Sequence, residues 1–261
     1  MKLDVYKINA FTNKMSGGNP ACVIPLDSWL EDDLMLSISK INGVAETAFF
    51  ILKGDNILLR WFTPEIEMDL CGHATLATAY CLNSILNYPD KSIKFETKSG
   101  DISVDYKDGK YHMDFPSRVP VKSDLPKLIS KSLNLKPSEI YKSRDFLLIY
   151  NSEKEIKKIK INTRYFNKIN LDPGGVVVTA KGTSSDFVSR YFTPQSTILE
   201  DPATGSSHCS LIPFWSKRLN KTHLTSIQLS KRIGEFECIN HSKRVTVIGS
   251  AVNYSKTTIT I

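Results

Sequence analysis

Two segments of similar pattern, one in each half of the chain, constrain the fold most. The first covers residues 69–75 (DLCGHAT) and the second covers residues 201–207 (DPATGSS). Each predicts a tight glycine turn that leads directly into a helix. The residues after the first turn are apolar on almost every side, which is typical of a buried helix rather than an amphipathic one. The residues after the second are similar, with Pro213 at a point where we expect a kink.

The N-terminal turns of two such helices would be chemically similar. A buried helix with an exposed first turn presents free backbone N–H groups and the positive end of the helix dipole. These features attract an anion such as a carboxylate. Two such ends that face each other would make a site between two lobes.

Several landmarks occur twice in the same order. Residues 60–64 (RWFTP) return as residues 190–194 (RYFTP) at an offset of 130, and the glycine turns repeat at an offset of 133. Gly100 and Gly234, both in strand-like regions, are 134 residues apart. We interpret this order as an internal duplication. It predicts an α+β fold of two pseudo-symmetric lobes, each rich in strands around one buried helix.

Local patterns place further elements and the boundary between the lobes. Alternating residues predict a strand over 3–11, and a further strand over 57–62 ends at Thr63 and Pro64. Asp27 or Ser28 could cap a helix over 29–41. Prolines after residue 115 mark a connector, so we expect an N-terminal lobe over 1–116 and a C-terminal lobe over 117–250. The tail 251–261 alternates like a strand and could complete either lobe.

Composition excludes several classes of protein. The net charge is +7, but the lysine cluster at 154–164 lacks interleaved aromatic residues, so we interpret it as a solvated surface and expect no nucleic-acid partner. No apolar run reaches the roughly 20 residues that span a bilayer, and no signal peptide is evident. The five cysteines lack a pairing motif, which favours reduced thiols and a cytoplasmic location. The five histidines show no metal-ligand spacing, so we expect no metal.

Glu46 is the first candidate for chemistry, because its neighbours Val44, Ala45 and residues 48–51 are apolar. Burial of a charged carboxylate is costly, so the pKa of such a group tends to rise toward neutrality. That shift suits a general acid and base at pH 7. The alternative is a carboxylate at the start of a strand, capped by the backbone or by an arginine.

Three polar residues accompany the glycine turns. His73 follows the first glycine, where a helix N-terminus disfavours imidazolium; we therefore expect a neutral imidazole that orients a substrate or relays a proton, or else caps the helix. Asp201 could bind a substrate hydroxyl or amine, act as a second acid–base group, or cap the loop. Ser206 offers a hydroxyl and a backbone N–H, or serves as a helix cap.

Cys71 suggests a different mechanism, in which a thiol acts as the base. A helix N-terminus would lower the pKa of this thiol. A racemase with two thiols needs a partner cysteine in the second turn. Cys209 lies five residues beyond Thr204, inside the predicted helix, and this position argues against the thiol mechanism.

Taken together, these motifs resemble the PhzF-like isomerase family of phenazine biosynthesis, which shares the diaminopimelate epimerase fold. The resemblance covers essentially the whole chain. The matching stretches are residues 4–11, 18–21, 46–49, 59–64, 69–75, 186–190, 200–206 and 228–234.

The resemblance implies strongly curved, mostly antiparallel sheets around each central helix, a C-terminal strand that returns to the first lobe, and a site in the cleft. It implies a general acid/base role for Glu46, with His73, Asp201 and Ser206 as polar partners. Gly72 and Gly205 would donate backbone N–H groups to a substrate carboxylate. It further implies an isomerase that uses no cofactor, acts on a small carboxylate-bearing metabolite and forms a homodimer.

The chain departs from the family pattern at two places. Residues 43–45 (GVA) stand where the family usually has Asn-Leu-Ser, and Ile233 stands where a glycine is usual. These changes put the family's phenazine substrate in doubt. Two other functions stay open: an amino-acid epimerase or racemase of the same fold, and a metabolite-binding protein without catalysis.

Overall fold

The computed structural model describes residues 1–54, 56–171, 174–194 and 196–261. These residues form two compact units. Unit 1 consists of Met1–Asp114 and Val247–Ile261, and unit 2 consists of Phe115–Thr246. Unit 1 is therefore discontinuous in the sequence, because the C-terminal segment returns to it.

Unit 1 is built on strands that pair in the order β18, β1, β2, β3, β4, β6, β7, β8. The β2–β3 and β4–β6 pairs are parallel, the other pairs are antiparallel, and β5 adds a short antiparallel pair to β4. The strands are β1 (Lys2–Ala10), β2 (Asn19–Leu26), β3 (Glu46–Lys53), β4 (Asn56–Phe62), β5 (Glu67–Met68), β6 (Ser92–Thr97), β7 (Gly100–Lys107), β8 (Lys110–Pro116) and β18 (Ala251–Thr260). The last strand of the chain thus pairs with the first.

The first helix, α1 (Asp32–Asn42), begins later than the predicted helix over 29–41. Neither Asp27 nor Ser28 caps it; Glu31 precedes it and makes no side-chain cap. Trp29 and Leu30 instead pack, partly buried, on the apolar cluster of this unit, and the acidic first turn complements the helix dipole. Gly43 ends α1 in the left-handed conformation (φ 59°), which explains a glycine at this place.

The central helix of unit 1, α2 (Gly72–Tyr80), is buried from Gly72 to Ala79. It packs against β1, β2, β3 and β18 and continues into one π-helical turn, Cys81–Ile85. Its burial follows from small and apolar side chains on all sides, as the sequence predicts.

Unit 2 contains strands that pair in the order β9, β10, β11, β12, β13, β15, β16. Here the β11–β12 and β13–β15 pairs are parallel, the other pairs are antiparallel, and β14 adds a short antiparallel pair to β13. The strands are β9 (Val121–Lys122), β10 (Glu139–Lys142), β11 (Phe146–Ile149), β12 (Val176–Lys181), β13 (Phe187–Phe192), β14 (Glu200–Asp201), β15 (His223–Gln228) and β16 (Gly234–Asn240), and β17 (Arg244–Gly249) follows across the boundary into unit 1. The helices are α3 (Lys127–Ser132), α4 (Glu153–Lys158), α5 (Thr163–Phe166) and α6 (His208–Leu219).

The two pairing orders are the same. The series β1, β2, β3, β4, β6, β7 and the series β10, β11, β12, β13, β15, β16 both alternate antiparallel and parallel neighbours. The parallel step from β4 to β6 contains α2, and the step from β13 to β15 contains α6, because parallel neighbours need a long crossover. Each half is therefore a sheet-rich α+β unit with one buried helix, as predicted.

Apolar side chains fill the interior of each unit. Phe49 and Phe62 pack edge to face in unit 1, and Phe166 and Phe192 do so in unit 2. Across the described ranges, no helix has both the length and the apolar character to cross a membrane.

Candidate active site

Glu46 is the first residue of β3, where it pairs with Ala21 of β2. The expectation of a carboxylate inside the strand is therefore wrong, and the alternative position at the strand start is correct. Its side chain is 16 % exposed, so it is largely but not completely removed from water. Its partner is His73, and among the described residues neither a backbone group nor an arginine caps it as the alternative supposed.

His73 lies in the first turn of α2 and contacts Glu46. Its Nε2 is 3.1 Å from Glu46 Oε2, and its side chain is only 5 % exposed. Both atoms are buried, and neither has a well-aligned hydrogen bond to any residue that the structure describes. The contact is therefore an ion pair rather than an aligned hydrogen bond. On the other side of the ring, Nδ1 is 3.5 Å from the sulfur of Cys71.

This contact reverses the expected charge of His73. Burial alone lowers the pKa of an imidazole, but Cys71 and Glu46 outweigh it and raise the pKa of His73 well above 6.5. We attribute the rise to the Glu46 carboxylate, because a thiol is charged only above its own pKa. The neutral imidazole expected from the helix dipole is thus replaced by an imidazolium, since a carboxylate in contact acts more strongly than the dipole.

The thiol of Cys71 also differs from expectation. Burial and the nearby charge of Glu46 raise the pKa of Cys71, although His73 lowers it in part. The helix N-terminus was expected to lower this pKa, but in a buried site removal from water dominates. The thiol is therefore protonated at neutral pH and is not an activated base.

Glu46, Cys71 and His73 are also potential metal ligands whose ligand atoms lie within 4.8 Å of one another. The carboxylate contacts Nε2 and the sulfur contacts Nδ1, so the two groups lie at opposite nitrogens of the ring. The contacts run from the carboxylate through the ring to the sulfur. A structural zinc site has four ligands, so a zinc ion held by these three groups would need one more.

Gly72 is the first residue of α2, and the first backbone bond of the helix runs from the N–H of Thr75 to the carbonyl of Cys71 (3.2 Å). The N–H groups of residues 72–74 therefore precede the helical ladder. The N–H of Ala74 interacts with the Cys71 side chain, which leaves those of Gly72 and His73 as the candidates to bind an anion.

In unit 2, Asp201 is the last residue of β14. The Thr204 hydroxyl donates to its Oδ2. The buried Gln228 holds the same segment, because its Nε2 donates to the carbonyl of Asp201 (2.6 Å) and its Oε1 accepts the N–H of Thr204 (2.8 Å). Gln228 belongs to the resembling stretch 228–234, but its role could not be predicted from the sequence.

Gly205 and Ser206 lie in a turn before α6, which begins only at His208. Bonds from the N–H of His208 to Gly205 and from Cys209 to Ser206 close this turn (3.0 and 3.2 Å). Ser206 is therefore not the helix cap. Its hydroxyl oxygen instead accepts a hydrogen bond from Arg144 Nη2 (3.2 Å).

Arg144 belongs to a buried polar cluster that was not predicted from the sequence. Its Nε and Nη2 donate to the two oxygens of Asp145 (3.1 and 3.0 Å). Asp145 is 2 % exposed and also accepts from Tyr191 (3.1 Å) and from the N–H of Gly175 (2.9 Å). The only available signal was a charged pair directly before an apolar strand.

His208 is a second buried histidine with the opposite charge preference. Its Nδ1 is 2.9 Å from the Thr204 carbonyl, its Nε2 is 2.7 Å from the Ser226 hydroxyl, and its ring stacks on Phe236. A carbonyl only accepts, so Nδ1 carries the proton and Nε2 accepts from Ser226. Burial lowers the pKa of His208 to about 4, so the ring is neutral at pH 7.

The departure at Ile233 has a backbone consequence. Ile233 has a positive φ of 22° and is 47 % exposed. A Cβ on the next residue, Gly234, would lie 2.5 Å from the Cβ of Ala203, so glycine is required there. Ile233 thus occupies a conformation that favours glycine, beside the segment that carries Asp201.

Comparisons with known proteins agree with this fold. The profile of the family described as phenazine biosynthesis-like protein (PhzC-PhzF) matches residues 8–257. An uncharacterized isomerase of Pseudomonas aeruginosa is 39% identical over 259 residues, which cover 99% of both chains. A crystal structure of a PhzF family protein from Enterococcus faecalis has a TM-score of 0.94 at 39% identity and covers 100% of both chains.

A more distant structure extends the similarity in fold alone. A hydroxyproline epimerase from Agrobacterium vitis has a TM-score of 0.61 at 9% identity, over 99% of this chain and 92% of that one. The sheet-rich α+β fold is thus shared with this epimerase. Given the profile match and the full-length relatives that are named isomerases, the chain is an isomerase of the phenazine biosynthesis-like PhzF family.

Proposed function

We propose that this protein moves a proton between carbon atoms of a small carboxylate-bearing metabolite, with Glu46 as general acid and base. The observation that carries the proposal is the 3.1 Å contact between Glu46 Oε2 and His73 Nε2. It supplies a mostly dry carboxylate that is held by a cationic partner at the N-terminus of a buried helix.

The geometry supports different roles for the two oxygens of the Glu46 carboxylate. Oε2 is buried against His73, so Oε1 is the oxygen that reaches a substrate. In the reaction, Glu46 takes a proton from one substrate carbon as the C–H electron pair shifts into the substrate's unsaturated system. The resulting carboxylic acid then returns the proton to another carbon, so that no electron acceptor and no cofactor is needed.

His73 serves this cycle by orienting the carboxylate. Its two ring nitrogens contact Glu46 and Cys71, which fixes the ring in one orientation.

We assign substrate binding to the backbone N–H groups of Gly72 and Gly205 and to the side chains of His73 and Ser206. Free N–H groups near a helix N-terminus suit a carboxylate. Asp201 is assigned as the second polar group of the reaction.

Two alternatives are less well supported. A two-thiol epimerase would need a thiol at the unit 2 position equivalent to Cys71, and this position is Thr204 at the offset of 133. Cys209 is fully buried inside α6. A protein that only binds a metabolite would retain ligand affinity without turnover, and it would not need the pairing of Glu46 with His73.

The test is deuterium exchange. Wild type, Glu46→Gln and the control Glu67→Gln are incubated in heavy water with a panel of unsaturated and amino carboxylic acids, and mass spectrometry follows the uptake. We expect wild type and Glu67→Gln to exchange one substrate class, and Glu46→Gln to be slower by at least about 100-fold. Equal uptake in all three proteins removes Glu46 from the mechanism, and loss of exchange in Cys71→Ser alone would favour the thiol alternative.

A cytoplasmic location and a homodimer complete the proposal. All five cysteines lie in the described ranges and are free and buried, which supports a reducing compartment. Light scattering of the purified protein would test the dimer, and a monomeric mass at micromolar concentration would contradict it.

A further inference from the structure

Unit 2 contains a guanidinium that is fixed beside a proposed substrate-binding group. Arg144 lies in the turn before β11, and its Nη2 is 3.2 Å from Ser206 Oγ. We propose that Arg144 is a positioning residue that orients the Ser206 hydroxyl so that it donates to an anionic oxygen of the substrate. This inference rests on the proposed function in that it takes Ser206 as a substrate-binding group.

The guanidinium is held rigidly. Two parallel hydrogen bonds join it to Asp145, and this carboxylate is itself fixed by Tyr191 and by the N–H of Gly175. A Cβ on Gly175 would lie 2.5 Å from the Tyr191 ring, so this close approach requires glycine. Arg144 Nη2 also lies 3.5 Å from the Tyr191 hydroxyl, which is longer than its 3.2 Å contact with Ser206. Because the plane of the guanidinium is set by Asp145, the bond to Ser206 has a defined direction.

The donor and acceptor roles then follow from chemistry. A serine hydroxyl has one proton and two lone pairs, whereas a guanidinium has only donors. Arg144 therefore occupies a lone pair of Ser206, and the hydroxyl proton must point to another acceptor. Within the described residues, the Ser206 hydroxyl makes no hydrogen bond to an acceptor of the protein. A carboxylate oxygen of a ligand fits this donor, and the adjacent positive charge disfavours an ammonium group there.

The internal repeat gives an independent reason for the assignment. At the offset of 133, Ser206 is the equivalent of His73. In unit 1, His73 is contacted by an anionic side chain from the β2–β3 pair, Glu46. In unit 2, Ser206 is contacted by a cationic side chain next to the equivalent β11–β12 pair, Arg144. The duplicated frame thus carries an acid–base group in one unit and an anion anchor in the other.

The first arm of the test is a double-mutant cycle on whichever carboxylate exchanges deuterium. The variants are Arg144→Gln, Arg144→Lys, Ser206→Ala and both double mutants, and Arg218→Gln, which removes an arginine paired with Glu139, is the control. We expect Arg144→Gln to lower kcat/KM by about 30-fold, mainly through KM, because the anchor binds ground state and transition state alike. Arg144→Lys should lose less, and neither substitution should add to the loss in Ser206→Ala. Arg218→Gln should stay within about twofold.

Losses that multiply in the double mutants would overturn the proposal, because they would show that Arg144 does not act through Ser206. If Arg144→Gln unfolds because the buried Asp145 is left without a cationic partner, Arg144→Lys, which keeps the charge, decides the question in the same way.

The second arm does not need turnover. Calorimetry measures the affinity for sulfate at constant ionic strength, and we expect Arg144→Gln and Ser206→Ala each to weaken it at least fivefold, with no further loss in the double mutant. If no acid exchanges deuterium but sulfate binding depends on both residues, the proposed isomerisation fails and the anchor stands. If exchange occurs and Arg144 affects neither measurement, the anchor fails and the isomerisation stands. If wild type neither binds sulfate nor exchanges deuterium, both fail.

Discussion

At the scale of single residues, two buried histidines show how the partner decides the charge. His73 contacts a carboxylate and its pKa is raised, whereas His208 contacts a carbonyl and a serine and its pKa is lowered to about 4. Burial opposes the charge in both cases, and only His73 has an anion to compensate for it. Their effects on stability therefore have opposite dependence on pH.

For His73, we predict a titration above the 6.5 of a free imidazole, followed by two-dimensional NMR of the ring nitrogens. Glu46→Gln should bring the pKa of His73 down, because burial then acts without the carboxylate. Glu67→Gln, which removes a carboxylate bound to Arg60 in the same unit, should leave it unchanged. The stability from the ion pair is present below pH 6.5 and is lost as the pH rises through the raised pKa. A His73 that titrates below 6.5 in wild type would contradict the ion pair.

For His208, the dependence of stability on pH has the opposite sign to that for His73. Between pH 6.5 and pH 4 the unfolded chain binds the proton and the folded chain does not, so the free energy of unfolding decreases as the pH falls. From pH 7 to pH 5 the loss from this residue should be about 2 kcal/mol. Urea unfolding of His208→Gln should show a correspondingly smaller dependence on pH than wild type, and His223→Gln, at an exposed position, should match wild type. An unchanged pH dependence in His208→Gln would show that the ring is not kept neutral.

At the scale of elements, the repeated strands β4 and β13 carry equivalent arginines in different surroundings. Arg60 binds Glu67 with two hydrogen bonds, and Arg190 binds Glu200 in the same way. Arg60 also reaches the exposed Asp32, whereas Arg190 donates to two backbone carbonyls at the end of α4 (3.1 and 2.9 Å). The arginine–glutamate pair is thus the same in both units, whereas the further partners of the arginine differ.

Because of this difference, we predict that removing Arg190 lowers the free energy of unfolding more than removing Arg60 does. Arg190→Met should lower the free energy of unfolding by about 3 kcal/mol, because it leaves a carboxylate and two carbonyls without their donor. Arg60→Met should cost about 1 kcal/mol, since the second partner of Arg60 is the exposed Asp32 rather than a pair of backbone carbonyls. Chemical denaturation measures the free energy of unfolding of both variants, and each serves as the control for the other because both replace an arginine at an equivalent position. Equal costs would mean that the backbone bonds of Arg190 contribute nothing measurable.

At the scale of the whole molecule, the two ends of the chain meet in unit 1. The strand β18 pairs with β1 in antiparallel register from Lys2 with Thr260 to Ala10 with Ala251. The sheet of unit 1 is therefore complete only when β18, which follows unit 2 in the sequence, has paired with β1. Such contacts of high sequence separation slow folding.

We predict that a chain that stops at residue 250 loses the cooperative unfolding of unit 1. The deletion removes the outer partner of β1 and should cost more than about 5 kcal/mol, comparable with the stability of a small domain. Hydrogen exchange of the β1 amides measures it, and removal of Ile261 alone is the control. Retained protection of β1 in the shorter chain would contradict the expected dependence on β18.

Local pattern was sufficient for some features and insufficient for others. Apart from His73, residues 72–79 are apolar or small on all sides, so the buried helix could be predicted from its own sequence. The repeat of residues 60–64 at 190–194 predicted the matching strands β4 and β13. The start of α1 was misplaced, because the packing of Trp29 and Leu30 outweighs the capping preference of Asp27 and Ser28. The assigned roles of Glu46, His73, Asp201 and Ser206 stay predictions until exchange is measured.

The sequence by itself determined the duplicated α+β frame and the two turns, because apolar periodicity and glycine positions are local properties. Only the tertiary structure decided the charge of His73, the unreactive state of the Cys71 thiol and the contact between Arg144 and Ser206. Each of these depends on burial and on a charge that is distant in the sequence, and Coulomb energy depends on separation in space rather than along the chain.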